Sequence, residues 1–74
     1  MPSDVCVEVG KRIRELRKKR GWRQIDLAEH SGVHEVHISD LEHGKREVGL
    51  RNLAALAAAF GLSLSEFLKG ITGK

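Results

Sequence analysis

Four glycines constrain the fold of this chain more than any other feature. Gly21, Gly32, Gly44 and Gly61 each follow a stretch whose apolar residues recur every three or four positions. That spacing lines one face of an α-helix, and a glycine just past the last apolar residue is a helix stop. Val5, Val9, Ile13 and Leu16 predict a first helix over residues 5–20. Ile25, Leu27 and Ala28 predict a second over 23–30, ended by Ser31 and Gly32. Val36, Ile38 and Leu41 predict a third over 34–42, closed by His43 and Gly44. Leu50, Leu53, Leu56, Ala57 and Phe60 are expected to face inward from a fourth, over 50–60. Ser63 and Glu66 have the spacing of a capping box and open a fifth, with Leu64, Phe67 and Leu68 on its apolar face and Ile71 as its extension. Residues 1–4 and 72–74 are expected to fray.

The expected architecture is therefore all-α, with five short helices in one domain over residues 1–74 and a core over about 5–69. A chain of 74 residues allows one domain. With one Trp and two Phe, it lacks the aromatic content that strands favour. Its single cysteine, Cys6, cannot close an internal disulfide, which excludes a disulfide scaffold. No apolar run is long enough to span a membrane, and no basic-then-apolar leader opens the chain. A cytoplasmic location is expected. No nucleophile–base pair or phosphate-cradling glycine loop is present, so no enzyme and no cofactor is expected. Nor does any segment suggest a sensor for a small-molecule effector.

The two central helices, short and joined across a glycine-containing turn, have the helix-turn-helix layout, whose second helix can enter a DNA major groove. Charge agrees in sign. Residues 1–23 carry eight Lys/Arg against three acids, a balance of +5, while residues 24–74 balance at −2. Positive charge concentrated at one end favours an anionic partner, although a basic helix face is often only solvated.

The residues in order also carry a family resemblance. Gly10-Lys11-Arg12-Ile13-Arg14-Glu15-Leu16-Arg17 resembles the opening of Cro/CI-like (XRE) helix-turn-helix domains, whose fold is λ-repressor-like. Gly21 through Ala28 resembles their second-helix entry, and Ser31-Gly32-Val33 their turn. Ile38 through Lys45 is similar to the end of their recognition helix, and Leu53 through Leu68, including Phe60-Gly61-Leu62-Ser63, to their closing helices. The resemblance implies a double-stranded-DNA-binding transcriptional regulator acting as a homodimer on a palindromic operator. Gln24 would grip phosphate, as a side-chain amide at a helix N-terminus can. Arg23, His37, Lys45 and Arg46 would also meet the DNA backbone. His34, Glu35, Val36 and Asp40 would read bases, the acids accepting from cytosine N4 and Val36 touching a thymine methyl. Arg17 and Glu42 would form an ion pair orienting the recognition helix. Phe67, Leu68 and Ile71, apolar and near the chain end, would supply a dimer surface or pack onto the first helix.

The chain departs from the family pattern in three places. Arg23 stands where an N-cap Ser or Thr is common, and His34 where a Ser is common, so a side-chain cap is expected to be lost at each. The recognition helix has no Arg, Lys or Gln and carries Glu35, Asp40 and Glu42 instead. Acids there oppose binding to an anionic duplex, which leaves open a protein-interaction or antitoxin-type module that keeps the fold. The loop 45–49 has no proline, as in the controller proteins of restriction–modification operons. Finally, His30, His34, His37 and His43 fall close together, a set that zinc would accept. Surface and groove-facing histidines are the commoner explanation, so no metal site is expected.

Overall fold

The computed structural model describes residues 4–71. Five helices run in order, α1 (Asp4–Lys19), α2 (Gln24–Ser31), α3 (Glu35–Glu42), α4 (Leu50–Ala59) and α5 (Leu64–Phe67), with no strand among the described residues. Each begins and ends within a few residues of its apolar period. The expectation of frayed ends falls on residues 1–3 and 72–74, which lie outside the described residues, whereas Asp4 already belongs to α1.

The core gathers the predicted stripes. Ile13, Leu27, Ile38, Leu56 and Phe67, one from each helix, are fully buried. Each such burial contributes about 2 kcal/mol. Val9 and Leu16 of α1, Leu41 of α3 and Leu53 and Ala57 of α4 surround them, with Val33 and Phe60 closing the ends. Phe60 meets Phe67 edge-on at 6.0 Å and stacks on Trp22 at 5.8 Å.

Two expectations need correction. Leu50 does not face inward: it is 81% exposed. It is the first residue of α4, and no element lies beyond that end to cover it. The fifth helix is also shorter than its apolar residues suggested. The capping box forms, with Ser63 Oγ accepting from Glu66 N–H at 3.1 Å and Glu66 Oε1 accepting from Ser63 N–H at 3.0 Å. The helix nevertheless ends at Phe67; Leu68 opens a turn, and Ile71 follows it, donating its N–H to Leu68 O at 3.0 Å.

Side chains of α1 and that of Arg20, just past its end, lock this arrangement. Arg12 donates from Nε to Phe67 O at 2.8 Å and from Nη2 to Glu66 O at 2.9 Å. A cation thus meets carbonyls at the C-terminal end of α5, where the helix dipole favours it. Arg20 does the same for α4 by donating from Nη2 to Phe60 O, and its guanidinium lies over the Phe60 ring at 4.9 Å. Gly10 lets α1 approach α3 closely. A Cβ at that position would stand 2.4 Å from Leu41 O and 2.9 Å from Glu42 O.

Candidate nucleic-acid interface

The turn between α2 and α3 sets the geometry of the site. Gly32 adopts the left-handed conformation, φ 77°, and its N–H donates to Ala28 O at 2.8 Å. A side chain there would be strained, which explains the glycine. Val33 then drops into the core, and its N–H donates to Ser31 Oγ at 3.1 Å. His34 caps α3: its Nδ1 accepts from Val36 N–H at 3.1 Å. The expected loss of a side-chain cap at this position is therefore wrong, because an imidazole nitrogen replaces the hydroxyl. With Nδ1 accepting, the ring proton sits on Nε2 and points elsewhere.

Helix α3 shows two faces. Ile38 and Leu41 are buried, while His34, Glu35 and Val36 are exposed, Val36 by 62%. Asp40, one turn after Val36, is partly exposed on the same outer face. All four residues implied to read bases are thus reachable from solvent.

One buried cluster fixes this helix relative to α1 and α2. Arg17 donates from Nε to Glu42 Oε2 at 2.7 Å and from Nη2 to Glu42 Oε1 at 2.9 Å. Its third nitrogen, Nη1, donates to Trp22 O at 2.8 Å. The two side chains are only 11% and 3% exposed. The hydrogen bonds to Glu42 hold the Arg17 guanidinium above its ordinary pKa, so it stays charged at any relevant pH. Gln24 joins the cluster, donating from Nε2 to Glu42 Oε1 at 3.3 Å.

The remaining implied phosphate contacts flank α3. Arg23 has no acceptor and cannot cap α2 with its side chain. Instead Asp26 performs half of a capping box, accepting from Arg23 N–H at 2.8 Å. The same carboxylate takes the Arg23 guanidinium at 3.1 and 3.2 Å, and these bonds hold Asp26 below the usual carboxylate range. Lys45 and Arg46 are exposed beyond the end of α3, and Arg46 Nε lies 3.6 Å from Asp40 Oδ2. Glu42 and Asp40 therefore both have internal cations, which leaves Glu35 as the acid of α3 without a pair among the described residues.

The geometry bears on two site expectations. His37 was implied to lie close to the DNA backbone, but its Nε2 is buried without a hydrogen-bond partner, turned inward by the pitch of α3. Phe67 was expected at a dimer surface or packed within its own domain, and it takes the second place, fully buried in the core against Phe60. Leu68 and Ile71 are half-buried and border a hollow of about 390 Å³ that Val5, Cys6 and Val48 also line.

Several working residues escaped the sequence reading. Arg12 and Arg20 counted there as surface charge, yet both bind carbonyls. Their positions on α1 and just past its end gave no local sign of this, since the acceptors lie 55 and 40 residues away. Asp26 was legible in principle, three residues after Arg23. The histidines have separate surroundings: His30 stacks on Trp22 at 4.2 Å, and His43 Nδ1 contacts Ser39 O at 2.7 Å. Among the described residues no group of three or more His, Cys, Asp or Glu side chains could hold a metal ion. No helix among them is long and apolar enough to cross a membrane.

A short helix pair joined by a left-handed glycine, with the second helix exposed on its outer face and braced from behind by a buried ion pair, defines a λ-repressor-like helix-turn-helix domain. A family model described as helix-turn-helix matches residues 13–67, and the chain belongs to that family, of the Cro/CI-like (XRE) kind. The restriction-modification controller protein C.AhdI from Aeromonas hydrophila is 37% identical, with a TM-score of 0.79 over 84% of this chain and 94% of that one. The P22 c2 repressor protein, in a crystal structure with a synthetic operator, is 42% identical, with a TM-score of 0.75 over 84% and 94%. The HTH-type transcriptional regulator DdrOP3 of Deinococcus deserti is 37% identical over 81% of this chain but only 46% of its own length. Two further regulators that match are longer too, so this chain spans about half or less of these curated relatives.

Proposed function

We propose that this chain is a sequence-specific, double-stranded-DNA-binding transcriptional regulator that acts as a homodimer on a palindromic operator. The observation that carries this reading is the outer face of α3. It is exposed, it is braced by Arg17 and Glu42, and Gln24, Arg23, Lys45 and Arg46 stand at its flanks as phosphate donors. Phosphate contacts would position the helix, and His34, Glu35, Val36 and Asp40 would read base edges. The likeness to a repressor crystallised with its operator supports the same reading. Binding, with no catalytic step, is the role assigned, and residues 1–74 are read as one domain working in the cytoplasm.

The pairing of acids weakens the rival reading of α3 as a protein-binding helix. Two of its three carboxylates are offset by internal cations in the free protein. For the dimer surface, Leu64, Leu68 and Ile71 replace the buried Phe67. Leu64 is 43% exposed, and the other two border the hollow that Val5, Cys6 and Val48 also line.

Selection of bound duplexes from a random pool tests the proposal. The expected product is a palindrome whose half-sites lie about 34 Å apart, one turn of the duplex. Gln24→Ala should weaken binding to all sequences alike. A protein that retains no duplex at low salt would overturn the reading.

A further inference from the structure

Arg46 and Asp40 are each implied to contact DNA, one by phosphate and one by base, yet they contact each other. Arg46 Nε lies 3.6 Å from Asp40 Oδ2, with side chains 51% and 30% exposed. The contact takes one nitrogen and one oxygen, so a two-point grip of Arg46 on phosphate or full use of the Asp40 carboxylate by a base competes with it. A pair this open is worth at most about 1 kcal/mol, so a duplex can part it. A phosphate offers a guanidinium the same two-oxygen face as a carboxylate. The carboxylate left behind is then a bare anion on the outer face of α3, beside Val36. In a major groove the cytosine N4 amino group is a donor that would satisfy it; adenine N6 is also a donor but lies beside the N7 acceptor, and guanine and thymine present no donor.

We propose that Asp40 and Arg46 exchange partners on the duplex, so that the phosphate grip of Arg46 depends on a cytosine opposite Asp40. This rests on the DNA-binding reading above. On a matching site, Arg46 passes to a phosphate and Asp40 accepts from cytosine N4. On a mismatched site, Arg46 stays with Asp40 and one phosphate contact is not made. Base identity at one position then sets an electrostatic contact elsewhere. The Arg23–Asp26 pair serves as the internal comparison. Its carboxylate is fixed at the start of α2, where it accepts from Arg23 N–H, and does not lie on α3. Parting that pair costs the same on every sequence.

The signature is a salt dependence that changes with one base pair. The probes are the duplex that the wild-type protein enriches from a random pool and the same duplex with the C·G pair read by Asp40 replaced by T·A, which puts the acceptor O4 where N4 stood. Reselection with Asp40→Asn identifies that pair as the position where preference is lost. For the wild type, the slope of log K against log salt should be shallower on the replaced duplex by about 0.9, the value of one phosphate contact. In Arg46→Gln the two slopes should coincide. Asp40→Asn should bind mixed-sequence duplex about two- to fivefold tighter, as expected for release of an exposed pair. Asp26→Asn should tighten all duplexes by one common factor with preference unchanged. Glu15→Gln, on the exposed side of α1, makes the same change in net charge and should do neither. Equal wild-type slopes on the two duplexes, or no position lost in Asp40→Asn, would overturn the exchange while leaving DNA binding intact. A wild-type protein that enriches no duplex overturns both.

Discussion

Arg17 and Arg46 both pair with a carboxylate of α3, Glu42 in one case and Asp40 in the other, and the two pairs have opposite uses. The Arg17–Glu42 pair is nearly sealed from water and makes two hydrogen bonds, at 2.7 and 2.9 Å. The Arg46–Asp40 pair is open, with one contact at 3.6 Å. Burial removes water as a competitor, and leaving either partner of a buried pair alone is costly. The inner pair is therefore a fixed part of the frame. The outer pair gains little from being made, and its members remain available to a ligand. Arg23–Asp26, with the arginine 78% exposed, belongs with the outer kind.

Substitutions should separate the frame from the outer surface. The largest effect is expected from Arg17→Ala, which abandons Glu42 in the interior: about 3 kcal/mol of stability lost in urea unfolding, with DNA binding weakened alongside. An unchanged unfolding midpoint would remove the distinction between the two kinds of pair. Gly10→Ala comes next. Its Cβ would press on the last-turn carbonyls of α3, and a loss of about 2 kcal/mol is expected despite the better helix propensity of alanine. His34→Ala removes the cap of α3 and should cost about 1 kcal/mol by the same measurement. Arg23→Ala lies at the outer end of the scale. Its unfolding midpoint should hardly move, while affinity for every duplex falls and the salt slope becomes shallower by about 1. A large loss of stability in that variant would place Arg23 in the frame.

The smallest effect concerns acid. Asp26 is held below the usual carboxylate range chiefly by its hydrogen bond from the Arg23 side chain, and Glu66 by the backbone N–H and hydroxyl of Ser63. A depressed carboxylate adds stability that is present above its unfolded pKa and lost as pH falls through the folded one. Arg17 shifts the other way, and its contribution persists throughout that range. Thermal midpoints should therefore fall below about pH 4. The double variant Asp26→Asn, Glu66→Gln should show a flatter curve, and an identical curve would refute this account.

Much of the frame was legible because it obeys local rules. Period and stop signals located all five helices, and Ser63 with Glu66 announced its own cap. The failures were also local rules applied where three-dimensional context prevails. Leu50 continues the stripe of α4 yet has nothing to pack against. Phe67 was open to either a dimer surface or packing within its own domain, and burial against Phe60 decided for the second. His34 caps a helix although its residue type is not a common cap. His37 reads as a polar groove residue, while the pitch of α3 turns one ring nitrogen inward.

The basic N-terminal third illustrates the limit best. Its charge pointed to an anionic partner, but Arg12 and Arg20 are spent on the carbonyl ends of α5 and α4 and Arg17 on Glu42, while Arg23 is only loosely held by Asp26. Sequence alone determined that the chain forms five short helices with a glycine turn between the second and third, because periodicity and backbone conformation act over a few residues. It could count the charges. Only the tertiary structure decided which charges face a partner, because a guanidinium finds its carbonyl or carboxylate across tens of residues, and burial fixes whether that bond can be exchanged.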